Sequence, residues 1–149
     1  MTIYFYSTRS EYGSFSNFSR YGCELDGEYW PTTEHYFQAQ KFPQTEHCDQ
    51  IRQAKTPKDA AKMGRERSRP LRQDWEQVKD DIMRKAVLRK FETHADIREI
   101  LLATGEEEIV ENAPGDYYWG CGKDGSGKNM LGQILMEVRE ILRKGTSFS

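Results

Sequence analysis

The chain has 149 residues, 36% of them hydrophobic and 31% charged, which is the composition of one globular domain rather than of a disordered segment. Its formal net charge of −2 excludes a global basic field, so broad electrostatic attraction to nucleic acid or to an anionic membrane is not expected. The first residues form no signal peptide and no apolar run approaches the ~20 residues of a membrane span, so we expect one soluble, cytoplasmic domain over residues 1–149.

Cysteine and histidine spacing does not indicate a disulfide framework or a metal site. The three cysteines are widely separated without a CxxC pair, which favours reduced thiols. The three histidines form neither an HxxxH nor an HxH pattern, so a metal would need scattered carboxylates as ligands. We therefore expect neither a metal nor a cofactor. The residues concerned are Cys23, Cys48, Cys121, His35, His47 and His94.

The N-terminal part predicts short strands. A β-type run lies at residues 3–5, and the small, polar and aromatic residues 11–20 are typical of a loop. In residues 23–30, the pair Asp26-Gly27 separates two strand-like pieces. Asp and Gly tolerate the positive φ angles of a type I′ turn, so this segment predicts a β-hairpin.

From Pro31 onwards the pattern is helical, with recognisable helix starts. Thr32 or Thr33 can cap a first helix, and Thr56-Pro57 combines a cap with a proline in the first turn. Asp74-x-x-Gln77 is similar to a capping box and predicts the start of the longest helix. The predicted helices run over about 32–42, 56–67, 74–92 and 95–104.

Apolar spacing predicts which helix faces are buried, and Gly105 predicts the end of the fourth helix. A short strand at 109–110, a glycine-rich loop over 112–128 and a last helix follow. The predicted fold is a mainly α (α+β) domain with a small N-terminal antiparallel β element. The residues predicted to face inward are Trp75, Val78, Ile82 and Ala86, then Ile97, Ile100 and Leu101, then Leu131, Ile134, Leu135, Val138 and Leu142.

Three polar residues at steps of four and seven share one face of the first predicted helix: Glu34, Gln38 and Lys41. A carboxylate, an amide and an amine in one stripe are able to hold a water and a sugar. The helix N-terminus favours the ionised form of Glu34, which suits a general base or a group that stabilises a cation. The alternative interpretation is a solvated helix face.

Four arginines between two predicted helices form a second candidate group. An arginine side chain matches the oxygens of a phosphate with two parallel hydrogen bonds. The alternative interpretation is ordinary surface charge. The group consists of Arg65, Arg67, Arg69 and Arg72.

The glycine-rich loop contains Gly122-x-x-x-x-Gly127-Lys128, which has the spacing of a P-loop. We reject that interpretation because Asn129 stands where Ser or Thr would hold magnesium, and because no buried strand precedes the motif. The remaining prediction is that the glycines let backbone N–H groups approach an anion at a helix N-terminus.

Asp116 and Trp119 in the same loop provide a possible acid and a stacking surface. The alternative is a capping aspartate and a buried tryptophan. No Gly-x-Ser-x-Gly motif is present, which argues against a serine hydrolase.

Six segments in chain order resemble the YbiA-like family, also called NADAR, over nearly the whole chain. Their order and their motifs make a chance match very improbable. The segments are Tyr12–Phe18, Trp30–Phe42, Ala61–Arg65, Arg72–Glu76, Asp116–Gly120 and Gly127–Arg139.

The resemblance implies two activities. One is hydrolysis of the N-glycosidic bond in phosphoribosylated pyrimidine intermediates of riboflavin synthesis, which releases ribose 5-phosphate. The other is removal of ADP-ribose from guanine in nucleotides or nucleic acid. Two alternatives of other classes remain, a non-catalytic ADP-ribose- or NAD-binding module and an interaction module that binds a protein or nucleic acid through its aromatic residues. The sequence does not predict the oligomeric state.

The resemblance also implies roles for individual residues. Glu34 acts at the sugar C1, Lys41 attacks C1 of an opened ribose to form an imine, and Asp116 protonates or orients the leaving nitrogen. Two tryptophans stack on the base, and the other residues hold ribose and phosphate. The implied substrate-binding residues are Phe15, Ser16, Asn17, Gln38, Gly64, Arg65, Arg69, Trp75, Trp119, Gly120, Gly125, Lys128 and Asn129.

Overall fold

The structure is a computed structural model that describes residues 1–145. It is mainly helical with small two-stranded sheets, as predicted. The single-domain prediction extends to residues 146–149, which lie outside the described residues. The strands are Ile3–Phe5 (β1), Cys23–Leu25 (β2), Glu28–Trp30 (β3) and Ile109–Glu111 (β4). The α-helices are Thr33–Ala39 (α1), Glu46–Arg52 (α2), Pro57–Gly64 (α3), Trp75–Thr93 (α4), Ala95–Ala103 (α5) and Met130–Lys144 (α6).

The described residues divide into two compact units, one formed by residues 20–90 and the other by residues 1–19 with 91–145. In residues 20–90, aromatic and aliphatic side chains from β2, β3 and the helices form one hydrophobic core. That core consists of Cys23, Leu25, Trp30, Tyr36, Ala39, Phe42, Ile51, Ala60 and Ala86. A helix with the length and hydropathy of a membrane span is absent from residues 1–145.

The predicted hairpin is confirmed. β2 and β3 pair antiparallel, and Asp26 and Gly27 connect them with φ angles of 56° and 81°. Two consecutive positive φ angles are typical of a type I′ turn, whose twist matches that of the strands. Trp30 leads from β3 into α1, and its indole N–H donates to the Leu25 carbonyl oxygen at 2.9 Å.

The first predicted helix starts where expected but ends earlier. Thr32 caps α1, and its hydroxyl oxygen accepts a hydrogen bond from the His35 N–H at 3.1 Å. The helix ends at Ala39 rather than at Phe42. The N–H groups of Lys41 and Phe42 bond to carbonyl oxygens three residues back rather than four, which ends the α-helical pattern. Pro43 also disfavours a helical conformation at Phe42.

Helix α3 also starts as predicted, with Thr56 as its cap and Pro57 in its first turn. It ends at Gly64 instead of Arg67, because the next two N–H groups bond to carbonyls three residues back rather than four. Helix α2 was not predicted at all. Thr45 caps it, but Ile51 is its single buried residue, so it shows no apolar stripe.

Residues 1–19 and 91–145 contain the second small sheet and the last helices. β1 and β4 pair in parallel, with Ile3 opposite Ile109, a pairing between distant parts of the chain that the sequence pattern did not predict. The strand at 109–110 and the loop after it are confirmed. In α6, four of the five predicted inward residues are buried and Leu142 is half-buried.

One predicted core residue is wrong. Ile97 and Leu101 of α5 are fully buried, but Ile100 is 38% exposed. Ile97 and Leu101 are four residues apart, so they lie one above the other on the buried stripe of the helix. Ile100 lies to the side of this stripe. A nine-residue helix with a narrow buried stripe leaves the flanking position at the surface.

Candidate active site

Glu34 and Gln38 form a buried hydrogen-bonded pair on α1. They are only 8% and 4% exposed, and the Gln38 amide nitrogen donates to a carboxylate oxygen of Glu34 at 2.7 Å. The two residues are four apart, so the helix itself brings them together, as predicted. An amide donor aimed at the carboxylate favours the ionised form and fixes the direction in which Glu34 points.

The other end of the Gln38 amide lies against the backbone of α3. Its oxygen has no hydrogen-bond partner among the described residues. A Cβ atom added at Gly64 would overlap that oxygen, so the close approach of α1 and α3 requires a glycine at this position. Gly64, the last residue of α3, therefore makes room for the Gln38 side chain, and its contribution to substrate binding stays a prediction.

Lys41 lies beyond the end of α1 and not on the helix, which corrects the prediction of one continuous stripe. Its ammonium group donates to the Gly64 carbonyl oxygen at 3.2 Å and lies 5.8 Å from the centre of the Trp75 ring. Burial lowers the pKa of Lys41, the Glu34 charge raises it, and the Arg65 charge lowers it again. The carboxylate and the amine are therefore electrostatically coupled.

A cavity of about 560 Å³ opens beside Lys41 and Gly64. Trp75 forms part of its wall, and its ring packs against that of Phe37 with ring centres 5.0 Å apart. Arginine residues occupy much of the remaining wall. Glu34 itself is buried and is not among the residues that line this cavity.

Two of the four arginines are engaged in intramolecular contacts. Arg69 pairs with Glu66 at 2.7 Å, and its guanidinium also donates to the Gln50 side-chain oxygen at 2.7 Å. Arg72 makes two contacts with the Asp74 carboxylate, at 2.6 and 3.1 Å. Asp74 was predicted to be part of a capping box, and the structure directs its carboxylate to Arg72 instead.

Arg65 and Arg67 differ from the other two arginines. Both are exposed and both line the cavity. Within residues 1–145, no carboxylate lies at ion-pair distance from either guanidinium. Their charges are therefore available for an anion that enters the cavity.

His35 is a buried residue next to Glu34 that sequence spacing did not single out. Its Nε2 faces the Ala54 carbonyl oxygen at 2.9 Å and so carries the proton, while Nδ1 accepts from the Thr32 hydroxyl at 2.7 Å. Burial lowers the pKa of His35, which favours this neutral form. The imidazole thus ties the start of α1 to the segment before α3.

In the unit of residues 1–19 and 91–145, the structure assigns Asp116 to the loop backbone. One of its carboxylate oxygens accepts hydrogen bonds from the N–H groups of Tyr118 and Trp119, at 3.0 and 2.8 Å. This geometry shapes the turn, which was the alternative interpretation. Trp119 is half-buried with its ring 4.9 Å from that of Tyr118. A role of Asp116 as an acid stays a prediction.

The expected anion cradle at the start of α6 is corrected by the structure. The N–H groups of residues 127–131 all donate to carbonyl oxygens of residues 117–121. Backbone donors that are already bonded to protein carbonyls are not available to a phosphate. Gly125, with a φ angle of 82°, shapes a turn in this loop.

Asn129 connects the loop to β4. Its side-chain nitrogen donates to the Ile109 carbonyl oxygen at 2.9 Å, and its oxygen accepts from the Glu111 N–H at 2.8 Å. Asn129 also has a φ angle of 52°, which asparagine tolerates better than most residues. The ammonium of Lys128 lies 5.4 Å from the Tyr118 ring centre. Substrate contacts by these side chains stay predictions.

The predicted residues near the N-terminus are largely internal. Phe15 is buried, with ring centres 5.8 Å from Phe5 and 5.9 Å from Phe91. Ser16 and Asn17 are also buried. Gly120 is buried close to the backbone of its own loop. The contributions of these residues to substrate binding stay predictions.

The NADAR domain description matches residues 4–143 of the chain. The chain belongs to the NADAR family. N-glycosidase YbiA of Escherichia coli is 54% identical over 140 residues, which cover 94% of this chain and 88% of that protein. N-glycosidase Npun_R5314 of Nostoc punctiforme is 54% identical over 146 residues, with 96% and 94% covered.

More distant relatives of this NADAR domain occur in larger proteins. The chloroplastic riboflavin biosynthesis protein PYRR of Zea mays is 42% identical over 156 residues, which cover 94% of this chain and 25% of that protein. The NMR structure of the E. coli protein YbiA matches with a TM-score of 0.90 at 51% identity, covering 99% of this chain and 88% of that one.

The predicted fold class and the prediction of a hydrolase acting on N-glycosyl bonds are confirmed.

Among residues 1–145, no three His, Cys, Asp or Glu side chains are grouped as a metal site would require. The groups that the described residues bring to this site are a fixed carboxylate, a desolvated amine and exposed guanidinium groups. These groups suit a reaction in which positive charge develops on a sugar that carries an anionic substituent.

Proposed function

We propose that this NADAR domain hydrolyses the C1–N bond between a phosphorylated ribose and an aminopyrimidine base, with phosphoribosylated intermediates of riboflavin synthesis as substrates and ribose 5-phosphate as a product. The observation that carries this proposal is the buried pair of Glu34 and Gln38, coupled to the desolvated amine of Lys41 beside an arginine-lined cavity. The names of the bacterial and plant relatives support the bond type and the pathway.

Glu34 stabilises the reacting sugar. Cleavage of a C1–N bond gives C1 the character of a cation, and a nearby carboxylate lowers the energy of that state. The hydrogen bond from Gln38 holds Glu34 in one orientation, so the carboxylate does not have to reorganise during the reaction. The same carboxylate is suited to accept a proton from the attacking water.

Lys41 provides a covalent route through the ring-opened sugar. Its neutral amine adds to C1, the bond from C1 to the base nitrogen breaks, and an imine between C1 and the lysine remains. In the ring-opened sugar C1 is itself joined to the base nitrogen as an imine, so the two hydrogens that the lysine nitrogen loses pass to the base nitrogen, which leaves as an amine. Water then adds to the imine and restores the free amine and the sugar aldehyde, so the net reaction consumes one water.

A product assay tests the proposed function. The purified full chain is incubated separately with a phosphoribosylaminopyrimidine and with an ADP-ribosylated guanine nucleotide, and the released sugars are identified by mass spectrometry. We expect ribose 5-phosphate from the first substrate at a rate well above that without enzyme. Release of ADP-ribose alone would assign the domain to guanine de-modification, and binding without any release would contradict an enzymatic role.

A further inference from the structure

The cavity beside Lys41 carries an excess of positive charge. Lys41, Arg65, Arg67 and Arg69 all line it, and Glu66 is the one carboxylate residue in its wall. Glu66 is paired with Arg69, so it does not offset the charges of the other three. Moreover, the Arg65 charge lowers the pKa of Lys41, which places the two cations near each other.

These cations differ in whether a protein group already occupies them, and therefore in how readily they can bind an anion. The Arg69 guanidinium is held by Glu66, Gln50 and the ring of His47, the latter at 2.9 Å. Exposed Arg65 and Arg67 have no carboxylate partner within the described part of the chain. An arginine fork that has no protein partner is suited to two parallel hydrogen bonds with a phosphate.

At the competing phosphate site, the backbone donors of residues 127–131 are already engaged. At the start of α6, the N–H groups of residues 127–131 are bonded to loop carbonyls, and the Asn129 side chain is bonded to β4. A cavity of about 560 Å³ beside this loop is lined by Lys123 and Lys128, so an anion there meets two ammonium groups. Lysine ammonium groups lack the planar fork with which an arginine binds two phosphate oxygens.

We infer that Arg65 and Arg67 form the phosphate subsite of this domain, which binds the phosphate on the ribose, and that the loop of residues 125–129 does not. The inference deepens the proposed function and rests on it for the identity of the sugar phosphate. Arg67 thereby becomes a specificity-determining residue that the implied site did not contain. Arg69 is a positioning residue, because its contacts with His47 and Gln50 join the cavity wall to α2.

The test combines protein variants with substrates that differ in one phosphate. Arg65→Ala, Arg67→Ala and the double variant are compared with wild type on a phosphoribosylamine and on its dephosphorylated counterpart. We expect kcat/KM for the phosphorylated substrate, divided by that for the dephosphorylated substrate, to fall about 10-fold per arginine, because an effect of the arginine charge on Lys41 changes both rates alike and cancels in the ratio. Lys58→Ala, an exposed change on α3, is the control for charge loss alone.

Equal losses on both substrates would overturn the inference, because the arginines would then act on the sugar or on the fold. The inference would also be overturned if Lys128→Ala lost the preference for the phosphorylated over the dephosphorylated substrate while the double arginine variant kept it. Thermal melts check that the exposed arginine changes leave the fold intact.

Calorimetric titration with ribose 5-phosphate and with ADP-ribose keeps the test independent of turnover. We expect the double variant to weaken ribose 5-phosphate binding about 10²-fold. A loss confined to ADP-ribose would show a diphosphate site instead and overturn the assignment to a ribose monophosphate. A wild-type enzyme that binds ribose 5-phosphate through both arginines without hydrolysing any ribosylamine would refute the proposed function while supporting the subsite.

Discussion

Lys41 is the residue whose chemistry depends most on its surroundings. Burial lowers the pKa of this amine, and the charges of Arg65 and Lys79 lower it further, against the opposing effect of Glu34. A lower pKa increases the neutral fraction near neutral pH, and the neutral amine is the form that attacks a carbonyl carbon.

We predict that kcat increases with pH as the Lys41 ammonium loses its proton, and that this increase is complete below the pH expected for an ordinary lysine. Borohydride added during turnover should trap a sugar adduct on Lys41, which peptide mass spectrometry would locate. Lys41→Arg should abolish trapping because a guanidinium stays protonated and is not nucleophilic.

Lys58→Arg, on an exposed position, controls for the chemical treatment. An active Lys41→Arg variant with no adduct in wild type would show that Lys41 contacts phosphate or a hydroxyl, and that Glu34 acts alone on water.

At the residue scale, the sequence could predict partners within one helix but not between helices. The spacing of four residues between Glu34 and Gln38 predicts their contact, and the structure confirms it. The contact of Gln38 with Gly64 joins two helices, and no local pattern encodes it. Likewise, the loop position of Asp116 allowed both an acid and a turn-forming residue, and the hydrogen bonds favour the turn.

At the scale of elements, the contact between α1 and α3 sets the position of the Glu34 carboxylate. Gly64→Ala would place a methyl group on the Gln38 amide oxygen and push the amide away from Glu34. Overpacking of this kind costs about 1–3 kcal/mol of unfolding free energy, and loss of the orienting hydrogen bond should also lower kcat. Chemical denaturation and steady-state kinetics measure the two effects.

Gly115→Ala provides the matched control, because a Cβ atom at Gly115 meets no neighbour and its φ angle is not positive. Its unfolding free energy should stay within about 0.5 kcal/mol of wild type. A Gly64→Ala variant with wild-type stability and kcat would contradict the role given to this helix contact.

Helix starts could be predicted better than helix ends or weakly amphipathic helices. Thr32 and Thr56 cap their helices as expected, because a cap acts through local hydrogen bonds. The ends of α1 and α3 depend on turns that continue into tertiary contacts. Helix α2, with Ile51 as its one buried residue, lacks the periodic pattern that sequence reasoning needs.

For the whole molecule, average properties gave little information about the site. The net charge of −2 indicates that the chain has no overall basic field, and it does not reveal local charge. The cavity beside Lys41 is nevertheless lined by four cationic residues and one carboxylate residue. The parallel pairing of β1 with β4 joins strands that are far apart along the chain. Both features arise from the fold, so composition and local spacing do not contain them.

The most direct test of the central claim is the turnover of Glu34→Gln on a phosphoribosylaminopyrimidine, with ribose 5-phosphate binding measured in parallel. The substitution keeps the size of the side chain and removes its charge, and Glu99→Gln at an exposed position of α5 is the matched control. Since the carboxylate acts on the cation-like sugar, we predict a loss of turnover of about 10² or more with binding nearly unchanged. A folded Glu34→Gln variant with near-wild-type turnover would contradict the account.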